Sequence, residues 1–213
     1  MNTEIYLIRH GQSEGNLLKR FLGHTDLDLT PFGVLQAKRV GEYLADTHFD
    51  ALYSSPLKRA ANTMREVAKG GMEEVVYIDS LREIYAGKWE NRTFSDLEAQ
   101  YPTQYFTFRR DIGMSCPEEG ESTHAVGVRA YETLTHIAEA HPGQRILVTT
   151  HATVICMFAC EVLGLADEER YRLALPTNAS LSIFEYEGGR FKMKCYSQDA
   201  YLAELKTPTP PLA

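Results

Sequence analysis

Arg9 and His10 stand side by side where a short apolar run, EIYLI (4–8), ends. They lie in the segment LIRHGQSEGN (7–16), where Gly11 and small polar residues follow them. A guanidinium presents a planar, permanently charged fork of N–H donors, and an imidazole can donate, accept or attack. The turn that ends a buried strand needs neither group. The pair therefore indicates a site for an anion at the end of the first strand.

Polar side chains follow three further apolar runs in the same way. Arg59 comes shortly after a second run, Glu83 shortly after a third, and His151 directly after a fourth. The three runs are DALYSS (50–55), EVVYI (74–78) and RILVTT (145–150). In open α/β sheets, ligands bind beyond the carboxyl ends of the strands. The sequence therefore predicts that these side chains meet Arg9 and His10 at one edge of a sheet.

These residue types suit the transfer of a phosphoryl group. Arg9 and Arg59 offer cationic forks that match phosphoryl oxygens, and Asn16 and the neighbouring backbone add neutral donors. A histidine nitrogen can attack phosphorus and form a phosphohistidine, which divides a difficult displacement into two easier steps. Glu83 is placed to protonate the leaving oxygen and then to deprotonate water. Because Arg9, Arg59 and His151 offset the negative charge of the phosphoryl group during its transfer, this chemistry requires no metal and no cofactor.

Apolar runs alternate with amphipathic stretches along the chain, which is the pattern of an α/β domain. The spacing predicts helices over 30–46, 56–70, 121–143 and 152–164, and a β-hairpin over 179–197. Thr30 and Pro31 suit the N-cap and the first position of a helix, and Gly188-Gly189 suits the hairpin turn. The looser pattern over 84–118 predicts an irregular cap rather than a core element.

The length of 213 residues is that of one domain with a full core. We expect a single domain over 1–207, with a cap insertion at about 84–120. The final TPTPPLA suits neither helix nor sheet and predicts a flexible tail at 208–213. The cap carries three arginines whose role the sequence leaves open: Arg92, Arg109 and Arg110.

The chain has 22 Lys and Arg against 29 Asp and Glu, a formal charge of −7. A net acidic surface argues against nucleic acid and anionic membranes as partners. The N terminus lacks the features of a signal peptide, and no apolar run approaches the length of a membrane span. The four cysteines form no zinc-like or redox CxxC pattern, and Cys156 and Cys160 suit buried packing. We therefore expect a cytoplasmic protein whose partner is a small molecule.

Four segments, in this order, resemble the motifs of the histidine phosphatase superfamily, the phosphoglycerate-mutase-like proteins. They are RHG with the following Ser13 and Asn16, then SPLKRAANT, LREIYAGKWEN and TTHATV. The resemblance implies a three-layer α/β/α sandwich with a mixed, mostly parallel central sheet and a small inserted cap. It also implies that His10 is the phosphorylated nucleophile and Glu83 the proton donor. The phosphate pocket that it implies consists of Arg9, Asn16, Arg59 and His151.

Other positions in or near these motifs are candidate phosphate or substrate contacts. Many relatives carry a glycine after the second histidine, whereas this chain has Ala152, and we expect its backbone N–H to keep the phosphate contact. Many relatives have a Gln before the residue that is Gly23 here, whereas this chain has Leu22. Loss of that amide predicts a pocket for a less polar leaving group. Ser13 either binds phosphate or caps the next helix.

The compact cap and the form LREIYAGKWEN resemble the phosphatase branch of this family. We therefore predict a metal-independent phosphomonoesterase that hydrolyses small phosphorylated metabolites. A phosphoglycerate-type mutase would use the same phosphohistidine, but it must keep that group dry. A non-catalytic phospholigand-binding domain is the alternative from another class, and the presence of both His10 and Glu83 argues against it. The sequence fixes neither the substrate nor the oligomeric state, and the apolar hairpin edge is compatible with a homo-oligomer.

Overall fold

A computed structural model describes residues 2–68 and 74–207. The predicted tail at 208–213 and the Gly70-Gly71 end of the second predicted helix lie outside the described residues. The strands are β1 (Thr3–Arg9), β2 (Arg20–Phe21), β3 (Ala51–Ser54), β4 (Val75–Tyr77), β5 (Arg92–Thr93), β6 (Arg145–Thr150), β7 (Leu181–Glu187) and β8 (Arg190–Gln198).

In this described part of the chain, six strands form a central sheet in the order β4-β3-β6-β1-β7-β8. The first four of that order run parallel to one another, and β7 and β8 are antiparallel additions on one side. Gly188 and Gly189 make the turn between β7 and β8 with φ values of 58° and 79°, which glycine adopts without a steric cost. The predicted hairpin and the mixed, mostly parallel sheet are therefore confirmed.

The parallel register brings the ends of three strands to one edge. Arg9 at the end of β1 pairs with Thr150 at the end of β6. Just beyond, the His10 N–H donates to the Thr150 carbonyl at 3.0 Å, and the Ser55 N–H after β3 donates to the Thr149 carbonyl at 3.0 Å. The residues that follow β1, β3 and β6 thus start from adjacent points, as the sequence predicted.

Side chains on the central strands alternate between two cores, one on each face of the sheet. Ile5 and Leu7 of β1 lie in the core that α6 and α7 cover, whereas Ile8 lies in the core that α2 and α3 cover. Both faces of β1 are apolar because helices bury both of them. The helices are α1 (Glu14–Leu17), α2 (Pro31–Tyr43), α3 (Lys58–Val67), α4 (Phe94–Gln100), α5 (Pro102–Arg110), α6 (Thr123–Ala140) and α7 (Ala152–Leu163). The layers are thus helix, sheet and helix.

The helix signals in the sequence act at the predicted positions. Thr30 caps α2, since its side chain accepts the Gly33 N–H at 3.0 Å, and Pro31 is the first helical residue. Later in the chain, α7 ends before Gly164, which has the left-handed conformation (φ 65°). Helix α3 begins at Lys58 rather than at Pro56, because Leu57 is still extended. None of the helices in the described residues combines the length and hydropathy of a membrane span.

The segment predicted as an irregular cap is more regular than expected. It contains α4 and α5, and its short strand β5 pairs with β2. A capping box between Thr93 and Asp96 starts α4, and Pro102 starts α5. Trp89 is fully buried, and its ring meets three aromatic rings of the cap and of β2 at centroid distances of 5.5–6.0 Å. Those rings belong to Phe21, Tyr105 and Phe108. The cap arginines, Arg92, Arg109 and Arg110, are exposed.

Two glycines allow the start of α2 to approach the loop that follows β1. A Cβ atom on Gly33 would lie 2.0 Å from the Gln12 carbonyl oxygen, and one on Gly11 would lie 2.4 Å from the Gly33 oxygen. Real Cβ atoms do not approach backbone oxygens so closely. The loop that carries His10 is therefore held against α2 by a backbone contact that tolerates no side chain.

We expect Gly33→Ala to lower the free energy of unfolding by about 1–3 kcal/mol relative to Gly41→Ala, because the added methyl group forces α2 away from the loop. Gly41 is the matched control, since it lies in the same helix and its Cβ would meet the Val67 oxygen at 3.1 Å, a tight contact that small shifts relieve. Urea unfolding of both variants measures the difference. Equal midpoints for the two variants would show that the close approach is not required.

Candidate active site

His10 lies directly beyond β1 and is 4% exposed. Its ring nitrogen Nδ1 is 2.7 Å from the Gly11 carbonyl oxygen. A carbonyl only accepts, so Nδ1 carries the proton and the lone pair is on Nε2. This hydrogen bond therefore fixes the tautomer in which Nε2 is free to act as a nucleophile.

His151, directly beyond β6, lies beside His10, with ring centroids 5.2 Å apart. Its Nε2 is 2.8 Å from the Ser55 hydroxyl, which also accepts the Leu57 N–H at 3.3 Å. When the Ser55 hydroxyl donates its proton to Nε2, the ring proton of His151 is on Nδ1. That Nδ1 is buried and makes no hydrogen bond within the described part of the chain. In that tautomer, Nδ1 is a donor that an anion beside His10 would satisfy.

Arg59 lies in the first turn of α3 and is 1% exposed. Its guanidinium donates to the Thr25 carbonyl at 2.9 Å and to the Gly23 carbonyl at 2.7 Å. Burial lowers the pKa of Arg59, and the negative charge of Glu83 opposes that shift. The side chain is thus a buried cation held in one orientation by backbone oxygens of the loop after β2.

Arg9, at the end of β1, is the second cation of the site. It donates to the Pro176 carbonyl, and its Nε is buried without a partner among the described residues. Burial lowers the pKa of Arg9 to about 10, while the charge of Glu83 acts in the opposite direction and that of Arg59 lowers it further. A group with this pKa stays charged at neutral pH, so the site carries an unneutralised positive charge.

Burial and these two arginines keep both histidines neutral. Burial is the largest cause that lowers the pKa of His10 well below its ordinary value, followed by the charges of Arg59 and Arg9. For His151 burial also comes first, and the charge of Arg59 comes next. A neutral imidazole is the nucleophilic form of histidine, and the surroundings of His10 favour that form.

Glu83 joins this group from the segment between two short 3₁₀ turns, Asp79–Leu81 and Gly87–Trp89. One carboxylate oxygen accepts the Ile84 N–H at 3.0 Å, and the other lies 3.4 Å from the N–H of Thr153 in the first turn of α7. Glu83 therefore lies next to the N terminus of the helix that begins directly after His151. Five predicted residues from four strand exits, Arg9, His10, Arg59, Glu83 and His151, form one site.

Of the two alternatives for Ser13, the structure contains the helix cap. The Ser13 side chain accepts the Asn16 N–H at 3.3 Å, and its N–H and hydroxyl both donate to Asn16 Oδ1 at 3.0 Å. Asn178 donates to the same oxygen at 3.1 Å and to the His10 carbonyl at 3.2 Å. The Asn16 oxygen is thus occupied, which leaves its NH₂ group as a donor for a ligand.

The two remaining predicted contacts are Gly23 and Ala152, and Leu22 directly precedes the first of them. Gly23 has φ 52°, a conformation that favours glycine, and its carbonyl accepts from Arg59. Leu22 is 7% exposed and packs against Gly15, where a Cβ would lie 2.3 Å from the Leu22 side chain. The effect of Leu22 on the leaving group stays a prediction. Ala152 is buried at the first position of α7.

Glu90 is a site-forming residue that sequence reasoning missed. Its carboxylate accepts four hydrogen bonds: from the N–H groups of His24 (2.8 Å), Thr25 (2.8 Å) and Ala86 (3.0 Å), and from the Thr25 hydroxyl (2.6 Å). These bonds fix the loop whose carbonyls hold Arg59. The signal was available, since Glu90 lies within the quoted segment LREIYAGKWEN. Asn178 had no comparable signal, because it lies 168 residues from His10.

The donors of the site are suited to an oxyanion rather than to a metal ion. Over residues 2–68 and 74–207, no group of three or more His, Cys, Asp or Glu side chains is arranged to hold a metal. The charges of Arg59 and Arg9 act on His10, the centroid of the His151 ring lies 5.2 Å from that of the His10 ring, and Asn178 links the Asn16 amide to the His10 carbonyl. Such donors match the oxygens of a phosphoryl group.

Comparison with known proteins agrees with this geometry. A family model for the histidine phosphatase superfamily (branch 1) matches residues 5–199. The chain is 30% identical to phosphoserine phosphatase 1 of Hydrogenobacter thermophilus over 188 residues. The alignment covers 88% of this chain and 89% of that relative.

Two solved structures superpose over nearly the whole chain. YhfR of Bacillus stearothermophilus has a TM-score of 0.90 at 28% identity, over 94% of this chain and 99% of the other. The second is phosphoserine phosphatase of Entamoeba histolytica, solved in complex with 3-phosphoglyceric acid. It has a TM-score of 0.83 at 28% identity, over 94% of this chain and 99% of the other. The motif order, the site at the strand ends and these likenesses lead to one conclusion: the chain belongs to the histidine phosphatase superfamily, branch 1.

Proposed function

We propose that this protein is a phosphoric monoester hydrolase that transfers the phosphoryl group to His10 and requires no metal. The observation that carries the proposal is the state of His10, a neutral imidazole whose Nδ1–H is bound to Gly11 and whose Nε2 is free beside two arginines. Family membership supports the same reaction. The roles given below to individual residues are part of the proposal.

In the first step, Arg9, Arg59, the Asn16 NH₂ group and His151 Nδ1–H bind the phosphoryl oxygens. His10 Nε2 attacks phosphorus and forms an N–P bond, while the bond from phosphorus to the leaving oxygen breaks. The electron pair of that bond stays on the leaving oxygen, which takes a proton from Glu83. The guanidinium cations of Arg9 and Arg59 stabilise the charge that spreads over the phosphoryl oxygens in the transition state.

In the second step, the free alcohol leaves and water enters. Glu83, now a carboxylate, removes a proton from the water as it attacks the phosphorus of phosphohistidine. The N–P bond breaks, its electron pair returns to His10 Nε2, and inorganic phosphate is released. The products are one alcohol and one phosphate for each ester and water consumed, and Glu83 is protonated again.

The remaining predicted contacts act in support of this pocket in our proposal. Ser13 shapes α1 so that Asn16 faces the phosphoryl group, and Gly23 supplies a carbonyl that orients Arg59. The N–H of Ala152 lies at the N terminus of α7, where backbone donors and the helix dipole favour an anion.

The substrate in our proposal is a small phosphorylated metabolite in the cytoplasm. Relatives include phosphoserine phosphatases, and one of them was solved with 3-phosphoglyceric acid. A mutase of the phosphoglycerate type would place the same group on His10 but pass it to a second acceptor instead of water. Release of inorganic phosphate therefore separates the two activities.

A panel of phosphate esters, assayed for released phosphate with EDTA present, tests the proposal. We expect hydrolysis with chelator and an acid-labile phosphoryl label on the wild-type chain after rapid quenching. His10→Ala should lose the label and reduce kcat/KM by on the order of 10⁴-fold or more, because the nucleophile is gone. His48→Ala is the matched control, since its exposed imidazole lies far from this edge of the sheet and should keep full activity.

Three results would contradict the proposal: a label that persists in His10→Ala, loss of activity on chelation, or transfer of the phosphoryl group to a phosphoglycerate without release of phosphate. Each result identifies a different error, in the nucleophile, in the independence from metal, or in the acceptor.

The ionisation of His10 and His151 gives a second prediction. The lowered pKa values mean that both rings remain neutral in phosphate-free buffer at pH 6, where an ordinary histidine with a pKa of about 6.5 is mostly charged. Proton NMR of the ring C–H signals, assigned with His10→Gln and His151→Gln, measures this directly. Titration of His10 near pH 6 would show that burial and the arginines do not control its charge.

A further inference from the structure

Glu83 lies on irregular backbone, yet the proposed function needs its carboxyl within hydrogen-bonding distance of the leaving oxygen. It belongs to no strand and to no helix, because the two 3₁₀ turns that flank it end at Leu81 and begin at Gly87. Its carboxylate contacts, from Ile84 and Thr153, are too few to determine where the backbone runs. The fully buried side chains of Leu81 and Ile84 anchor this segment in the core, and further polar contacts orient its backbone.

Arg129 of α6 makes the required contacts. Its Nη1 donates to the Ser80 carbonyl at 2.6 Å and to the Arg82 carbonyl at 2.8 Å, and its Nη2 donates to the Glu83 carbonyl at 3.2 Å. Three backbone oxygens around the proton donor are thus bound by one side chain. A guanidinium can do this because its donors form a rigid planar fork.

The other side of the same guanidinium is held by Glu121, just before α6. Arg129 Nε lies 2.7 Å from one oxygen of the Glu121 carboxylate, and Nη2 lies 2.9 Å from the other. Together with the three backbone contacts, these are five hydrogen bonds for the five N–H groups of Arg129. The side chains are only 21% and 20% exposed, so neither can turn freely into solvent.

Glu121 also contacts the segment beyond Glu83. Its carboxylate accepts the Tyr85 N–H at 3.3 Å, and its own N–H donates to the Tyr85 carbonyl at 2.8 Å. The Arg129–Glu121 pair therefore binds the backbone on both sides of Glu83. His24 adds one more contact, with its Nε2 2.9 Å from the Glu83 carbonyl oxygen.

We propose that the Arg129–Glu121 pair positions Glu83 for proton transfer to the leaving group. Arg129 is a positioning residue, since each hydrogen bond that its side chain makes within the described residues is with the backbone around Glu83 or with Glu121. The inference rests on the proposed function, because it presumes that Glu83 is the proton donor. It adds a specific expectation: the more a leaving group depends on protonation, the more a substitution of Arg129 should slow its hydrolysis.

The test compares two substrates with the same enzyme variants: an alkyl phosphate, whose leaving group must be protonated, and p-nitrophenyl phosphate, whose leaving group departs as the anion. Arg129→Lys keeps the charge but removes the planar fork. We expect it to lower kcat/KM for the alkyl ester by roughly 10-fold or more and that for the aryl ester by less than about 3-fold, because general acid catalysis supplies on the order of 10²–10⁴-fold. Glu121→Gln keeps Arg129 but weakens its partner. Like Arg129→Lys, it should lower kcat/KM for the alkyl ester more than kcat/KM for the aryl ester.

Arg145→Lys is the matched control. Arg145 pairs with Glu4 at 2.9 Å and is 38% exposed at the start of β6, the opposite end of that strand from His151. We expect this variant to hydrolyse both esters at the wild-type rate. Urea unfolding of all variants establishes that each one is folded under the assay conditions.

A double variant separates positioning from a general loss of structure. If Arg129 acts through Glu83, then Glu83→Gln with Arg129→Lys hydrolyses the alkyl ester within about 2-fold of Glu83→Gln alone, since coupled residues are not additive. Additive losses, equal losses on both esters, or no loss in folded Arg129→Lys would overturn the inference.

The same measurements distinguish this inference from the function on which it rests. If Glu83→Gln discriminates between the esters but Arg129→Lys does not, only the positioning role is wrong. If Glu83→Gln itself reduces both esters equally, then the proton-donor role is wrong and the inference falls with it.

Discussion

The burial of positive charge at one edge of the sheet is the constraint on which the rest of the structure depends. Arg9 and Arg59 lose most of their hydration there, and the lowered pKa of each records what this desolvation costs. Glu83 offsets part of the charge but cannot match two cations. With Glu83 protonated, as its proposed role as proton donor requires, a phosphoryl dianion would balance the two arginine cations, so the buried positive charge favours binding of the ligand.

The fold meets this constraint mainly with backbone oxygens rather than with acidic side chains. Carbonyls of Gly23 and Thr25 hold Arg59, and the carbonyl of Pro176 holds Arg9. Carbonyl oxygens orient a guanidinium without cancelling its charge, whereas carboxylates would neutralise the site before a substrate arrived. The acidic Glu90 instead binds N–H groups of the loop, one step away from Arg59. A net charge of −7 for the whole chain is thus compatible with a cationic pocket.

The sequence predicts the parts of this arrangement that follow from local pattern. Apolar runs that end in Arg9, His10 or His151 mark strand exits, and parallel strands deliver their exits to one edge, so the site could be assembled before its coordinates were known. The signals that start α2, Thr30 as N-cap and Pro31 as first helical residue, were equally local. For Ser13, two functions were compatible with one local sequence, and only the capping contact with Asn16 distinguishes what its hydroxyl does.

Other parts depend on contacts between distant segments and have no local signal. Asn178 reaches the His10 carbonyl across 168 positions, and Arg129 reaches Glu83 across 46. Contacts between residues so far apart in the chain produce no periodic pattern in the sequence. The cap helices are a different case, because the Thr93 capping box and Pro102 were readable, but the mixture of aromatic and charged residues hid the helical period.

A crystal structure with bound vanadate tests the central claim most directly, since a trigonal-bipyramidal vanadate resembles the phosphoryl group in transit. We predict that the vanadium atom is bonded to Nε2 of His10, with its oxygens within hydrogen-bonding distance of Arg9, Arg59 and Nδ1 of His151. Vanadate bound away from His10, or bonded to Nδ1 after the contact with Gly11 has broken, would contradict the account.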